Sequence, residues 1–218
     1  MIKEESILFL TLAAGGFILC RIPYAGKFFR VFNTLFHEGG HALAAWFTKS
    51  EVLRIDLFYD TSGTTITKST NKTAQFIISL SGYVFASLTP FVFIVLLSAG
   101  YDWGLHVSMA LLSGLLLLLA VRNTYGILWI VAMLVAYFFI IFKAPEKAWM
   151  MIYAYTGIML LEALFSSFVI LWFSFVRPSE AGDATNLAKL THLPAAFWGM
   201  VFLAQALLFF YLSVLILF

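Results

Sequence analysis

Charge is scarce in this sequence. Asp, Glu, Lys and Arg make up 11% of the 218 residues, against roughly 25% in ordinary globular domains. The net charge is +2 and no basic run exceeds a pair of residues, which excludes a polybasic contact to nucleic acid or another anionic partner. Cysteine is almost absent. Cys20 alone closes no intrachain disulfide, and it stands in an apolar run where a thiol behaves as a small hydrophobe. A cleavable leader is not indicated either: Ile7 to Leu19 is apolar, but Lys3 is offset by Glu4 and Glu5 and no small-x-small site follows. That stretch reads as a retained first membrane segment. Internal repeats are missing, and low complexity is confined to leucine richness such as Leu115 to Leu119.

What fills the space is apolar. Hydrophobic residues are 62% of the chain and Phe alone occurs 24 times. A soluble domain of this length has no way to hide so much apolar surface, so a cytosolic enzyme and a disordered chain are excluded. The sequence is that of an integral membrane protein embedded in the lipid bilayer, a single domain over 1–218. A membrane-crossing helix needs about 20 apolar residues. On that measure the approximate spans are 6–22, 28–48, 75–99, 104–121, 124–142, 148–175 and 195–218. The fold class expected is an all-α polytopic membrane protein with about six to seven transmembrane helices.

Two stretches break the pattern. From Glu51 to Lys72, β-branched residues flank Ser62-Gly63, which predicts a short β-hairpin turning at that dipeptide. From Arg177 to Pro194 runs the longest polar connection, with Asp183 placed to cap a short helix over Ala184 to Leu190. Counting Lys and Arg on alternating sides favours a cytoplasmic N-terminus, with the hairpin and the polar connection on the same side as it.

One motif carries chemistry: Phe36-His37-Glu38-Gly39-Gly40-His41-Ala42. This is H-E-x-x-H on a predicted helix. Residues i and i+4 share a helix face, so both imidazoles reach one metal ion while Glu38 stays beside it to take a proton from water. Zinc suits the pair, because it accepts imidazole nitrogen, acidifies water and polarises a carbonyl. With four His and seven Glu, the pattern arises by chance in roughly a quarter of one per cent of such compositions. The plainer reading is a polar helix contact in which Gly39 and Gly40 admit a neighbouring helix. Burying two His and a Glu in a membrane costs several kcal/mol unless they bind something, which favours the metal. Other polar residues in the spans say less. Arg30 and Asn33 read as snorkelling or interhelical contacts, and Glu162 as a neutral core acid or else a partner or ligand. His106, His192 and the tryptophans Trp103, Trp129, Trp149 and Trp198 read as interfacial.

A membrane HExxH helix followed by a short hairpin and further helices resembles the site-2 protease family of intramembrane zinc metalloproteases, and within it the compact branch of bacteria and plants. The likeness extends over roughly residues 30–200. It includes Ser62-Gly63-Thr64-Thr65-Ile66-Thr67, Leu80-Ser81-Gly82-Tyr83, Arg122-Asn123-x-x-Gly126, and Asp183-Ala184-x-x-Leu187-Ala188 running into Pro194 and Trp198-Gly199. The chain lacks the family's Asn-Pro-x-Pro and Leu-Asp-Gly motifs, whose Asp completes the metal site. It also reads Ser166-Ser167-Phe168-Val169 where members of the compact branch tend to keep acidic residues.

The resemblance implies a zinc endopeptidase. His37 and His41 bind the metal, Glu38 acts as base and then acid, and Asn123 helps stabilise the tetrahedral intermediate. The third ligand is expected at Asp183, which falls in a matching segment, with Glu162 as its rival. The implied substrate is a single-span membrane protein or a membrane-retained peptide, unwound against the hairpin, and the implied location is a bacterial plasma (inner) membrane. The missing Leu-Asp-Gly motif keeps a second function open, an inactive membrane scaffold or chaperone that retains the fold. A transporter is less favoured, because the chain has no paired inverted halves.

Overall fold

The computed structural model describes residues 3–69 and 71–218, with side chains from Ser6 onward. Eight α-helices and one hairpin follow in the order α1 (Lys3–Leu19), α2 (Ala25–Phe47), β1 (Glu51–Leu57), β2 (Gly63–Lys68), α3 (Lys72–Ser98), α4 (Asp102–Leu119), α5 (Thr124–Lys143), α6 (Ala148–Val176), α7 (Gly182–Thr191) and α8 (Ala195–Leu217). Among the described residues five helices are long and apolar enough to cross a membrane: α3, α4, α5, α6 with its preceding turn, and α8. The chain is a polytopic all-α membrane protein. The described apolar part of α1, Ser6–Leu19, is shorter than a full span. α2 interrupts its apolar surface with Lys27, Arg30, Asn33, His37, Glu38 and His41. The expected six to seven spans are therefore five clear ones and two atypical helices.

Helix directions follow from which residues meet. α2 and α3 run antiparallel, since Phe36 stacks on Phe85 while His41 bonds the Ile78 carbonyl. α3 and α8 run parallel, with Phe76 against Trp198, Tyr83 against Phe202 and Phe91 against Phe209. α6 opposes α8, because Gly199 packs on Leu171 and Leu203 and Leu207 lie with Leu161 and Leu164. α1 runs parallel to α6, pairing Phe9 with Tyr153 and Phe17 with Phe165. Taken together, α1 and α2 point the same way, and α1 packs along α6 and not back along α2. The start of α1 lies beside the end of α8, where the Ser6 hydroxyl donates to the Leu217 carbonyl, at the opposite end of the bundle from the hairpin. This corrects the expectation that the hairpin and the N-terminal helix begin on one side. The joint Cys20–Tyr24 is a break between two helices of like sense. Gly26 sits there so close to the Cys20 carbonyl that a side chain would clash.

The hairpin has a different turn from the one expected. β1 and β2 are antiparallel, from Glu51 opposite Lys68 to Leu57 opposite Gly63, with an irregularity between Val52 and Arg54. The turn occupies Phe58 to Ser62, and the residue with positive φ is Thr61 (75°), not Gly63. Asp60 holds it by accepting from the Ser62 hydroxyl at 2.6 Å and the Ser62 N–H at 3.0 Å, and these bonds keep its carboxyl below the usual range. Thr34 of α2 donates to the Thr61 carbonyl at 2.7 Å and pins the turn to the bundle. β1 also meets the segment joining α4 to α5: Ile55 N–H donates to Ala120 (2.8 Å) and Arg122 N–H to Ile55 (3.1 Å). β1 is thus flanked on both sides, and β2 is the edge.

Some residues expected at membrane interfaces are interior. His106 is buried and bonded to the Tyr137 hydroxyl. Trp129 and Trp198 are buried too, with indole N–H groups donating to the Phe28 carbonyl and the Thr191 hydroxyl, each at 3.0 Å. His192 is exposed and ends α7 in the left-handed conformation.

Candidate metal centre

α2 presents His37 and His41 one turn apart on the face that meets α3. The approach is close because α3 has glycine there. A Cβ on Gly82 would lie 2.5 Å from His41 Nε2 and 2.7 Å from His37 Cε1, so any side chain displaces the imidazoles. Gly40 allows the same intimacy higher in the contact, against Phe85 and the Ser81 carbonyl. The expected helix packing through Gly39 and Gly40 is present, and it coexists with the polar cluster.

His41 Nδ1 donates to the Ile78 carbonyl at 2.6 Å, and Ser81 donates to the same carbonyl at 2.7 Å. That bond puts the His41 proton on Nδ1 and leaves the Nε2 lone pair free for a ligand, the usual support for a metal-binding imidazole. His37 is held edge-on against the Tyr83 ring, with centroids 4.6 Å apart, and Tyr83 in turn lies on Phe202.

α7 brings the third group. Asp183 is the second residue of this helix, whose N-cap position is held by Ala181 and not by Asp183. Its Oδ2 lies 3.2 Å from His37 Nε2 and 3.2 Å from His41 Nε2, and the two Nε2 atoms are 3.2 Å from each other. The three ligand atoms form an equilateral triangle. A tetrahedral zinc with bonds of about 2.0 Å sets its ligand atoms roughly 3.3 Å apart. The triangle therefore fits three corners of a zinc site and leaves the fourth open. The donor set of two neutral imidazoles and one carboxylate suits the same metal.

His37, His41 and Asp183 all line a cavity of about 330 Å3 between α2, β2, α3 and α7. Glu38 lines it, 5% exposed, and its Oε2 accepts from the Thr65 hydroxyl of β2 at 2.6 Å. Gly63 is needed here for approach: a Cβ would meet Glu38 Cγ and Thr34 Cγ2, each at 2.7 Å. Thr64, Thr67, Ser79 and Asn186 add polar lining.

The structure brings His37, Glu38, His41 and Asp183 together and leaves the other two candidates elsewhere. Asn123 does not line the cavity. Its side-chain amide accepts from Leu57 N–H at 3.1 Å and donates to the Leu57 carbonyl at 2.5 Å, copying a strand's backbone along β1. Glu162 is not among the ligand atoms of this triangle and takes the partner role considered for it. It is 3% exposed and ion-paired, Oε1 with Arg21 at 2.7 Å and Oε2 with Arg30 at 3.3 Å. Thr65, Gly82 and the Ile78 carbonyl had no assigned role from sequence, and they support the site from two other elements.

The fold and the site together define a membrane-embedded metallopeptidase-like protein, in which apolar helices enclose a metal-ligand triangle beside a glutamate. Comparison with protein families makes this particular: residues 9–213 match the family described as Peptidase M50B-like, and the chain belongs to it, within the site-2 proteases. Neither a curated protein nor a solved structure gives a match.

Proposed function

We propose that the chain is a zinc-dependent intramembrane endopeptidase. The observation that carries this reading is the 3.2 Å triangle of His37, His41 and Asp183 opening on a cavity that Glu38 also lines. His37, His41 and Asp183 would hold the metal. When bound, zinc would polarise the scissile carbonyl and lower the pKa of a water to about 7. Glu38 takes a proton from the attacking water and passes it to the leaving amine nitrogen. Thr65 orients the carboxylate that does so. Asn186 replaces Asn123 as the amide facing the reacting carbonyl, since it lines the cavity and Asn123 is committed to Leu57.

The substrate is a transmembrane protein or membrane-retained peptide. A helical peptide bond is shielded by its own hydrogen bonds, so cleavage needs an unwound segment. β2 offers an edge strand along the cavity, with Gly63, Thr64, Thr65 and Thr67 beside it, and an extended segment adding there would lie next to Glu38. The scaffold alternative drew on the missing Leu-Asp-Gly carboxylate, and Asp183 supplies a carboxylate at that place.

Sidedness follows from the helix directions. The hairpin end of the bundle carries seven basic residues, Lys49, Arg54, Lys68, Lys72, Arg122, Arg177 and Lys189, against Lys3, Lys143 and Lys147 at the other. The positive-inside rule puts the hairpin and the cavity mouth on the cytoplasmic side of a bacterial plasma membrane, and the N-terminus outside. On this reading α1 and α2 share one passage.

The test is cleavage of a single-span reporter in proteoliposomes. Wild type should cut it, and Glu38→Gln should bind zinc normally and cut nothing. Wild-type-rate cleavage by Glu38→Gln would remove Glu38 from the mechanism, and zinc binding without any cleavage by wild type would favour the scaffold.

A further inference from the structure

A second polar cluster lies away from the metal cavity. Glu162 is the central residue of α6 and is buried, and it draws in Arg21 from the joint after α1 and Arg30 from α2. Two guanidinium groups face one carboxylate, so the cluster keeps one positive charge near the middle of the bundle. The side chains of Arg21 and Arg30 remain 33% and 34% exposed. Arg21 is held over the rings of Phe17 and Phe165, at 4.1 and 4.3 Å from their centroids. The same two phenylalanines line an outward-facing apolar groove of about 370 Å3 between α1, α6 and α8, together with Phe168, Leu203 and Leu207.

An uncompensated cation at this depth is costly in hydrocarbon and calls for an anion. Lipid headgroups carry their phosphates at the membrane surface, whereas the anion available near the middle is a side-chain carboxylate on another helix. A second copy of this chain has none to offer. Its remaining acids lie in the metal cavity (Glu38 and Asp183), on the hairpin, or at helix ends. We infer that the groove between α1, α6 and α8 docks a transmembrane helix of a different protein, one with an Asp or Glu near the centre of its span that pairs with Arg21. The apolar lining takes the helix surface and Arg21 selects the acid. This inference stands apart from the peptidase reading, since it uses none of the metal-site residues.

The probe is an acceptor-labelled leucine-alanine helix of about 23 residues with one central Asp, and matched helices with Asn or Leu there. Förster transfer to donor-labelled protein in phosphatidylcholine vesicles reads the binding. The Asp helix should bind about tenfold more tightly than either control, and Arg21→Gln should abolish that preference. Leu207→Trp fills the groove without touching the ion cluster, and should weaken the Asp helix by about the same factor. Equal affinity of the three helices for wild type overturns the inference, and so does full affinity in Leu207→Trp. A preference that disappears when phosphatidylglycerol is added identifies a lipid headgroup as the occupant, which also overturns it. The wild-type comparison decides the matter even if Arg21→Gln does not fold.

Discussion

Two charged clusters are buried in one apolar bundle, and they are built on opposite principles. Around Glu162 the donors face acceptors: two guanidinium groups, one from the joint after α1 and one from α2, meet one carboxylate of α6. Around His41 the potential ligand atoms face each other: two imidazole nitrogens and a carboxylate oxygen lie 3.2 Å apart. The first arrangement pairs its carboxylate on both oxygens, keeps one positive charge in excess, and ties helices together. The second is satisfied by protons or a cation, and its neighbours are arranged to favour the cation. The Ile78 carbonyl orients His41, Gly82 clears the space, and the cavity leaves one corner open. Burial alone thus does not distinguish structure from function in a membrane protein. The direction in which lone pairs point does.

That contrast predicts different responses to substitution. The largest stability effect belongs to Glu162→Ala, which leaves two arginines unpaired in the bundle. It should lower stability by about 3–5 kcal/mol in a detergent unfolding assay while the protein that remains folded keeps its zinc. If zinc is lost and stability unchanged, the roles of the two clusters are exchanged. Asn123→Ala should come next, at about 1–3 kcal/mol, because it strands the Leu57 N–H and carbonyl. Zinc content should again be normal, whereas a pure catalytic loss at full stability would restore Asn123 to the site. Gly82→Ala should have little effect on the fold and a large effect on metal affinity, since its Cβ meets both imidazoles. Normal affinity there would mean that α3 gives way. Thr65→Val should be the mildest, lowering turnover about tenfold with zinc retained, and Thr65→Ser should recover most of it.

How much of this was legible in the sequence depends on how far apart the partners lie. His37 and His41 are one helical turn apart, so the motif alone placed them on a common face. Asp183 lies well over a hundred residues further on, and only the family resemblance pointed to it; its local context reads equally as a helix cap. Arg21 and Arg30 gave no sign of meeting Glu162, because nothing in their own segments marks a partner on α6. Asn123 entered the expected site through the family resemblance alone, and its engagement with Leu57 requires knowing that β1 lies alongside. The hairpin was visible from its β-branched run. Its turn was misplaced, since Gly63 suggested a turn but serves to let β2 approach Glu38. The helix directions were the least legible feature. Cys20–Tyr24 is as short as a hairpin loop between antiparallel helices, and only the pairing of α1 with α6 shows that the chain does not turn back. Labelling cysteines introduced at Ser69 and at Glu4, near the start of α1, in a Cys20-free background checks this, and the two should react from opposite sides of the membrane.

The central claim is that the triangle holds a metal, and zinc stoichiometry on the purified chain tests it most directly. Wild type should carry about one zinc per chain, and His37→Ala, His41→Ala and Asp183→Asn should each lose it, because three protein ligands are the fewest a catalytic zinc site uses. Full zinc occupancy in Asp183→Asn or in either histidine variant would contradict the account and make the triangle a packing feature.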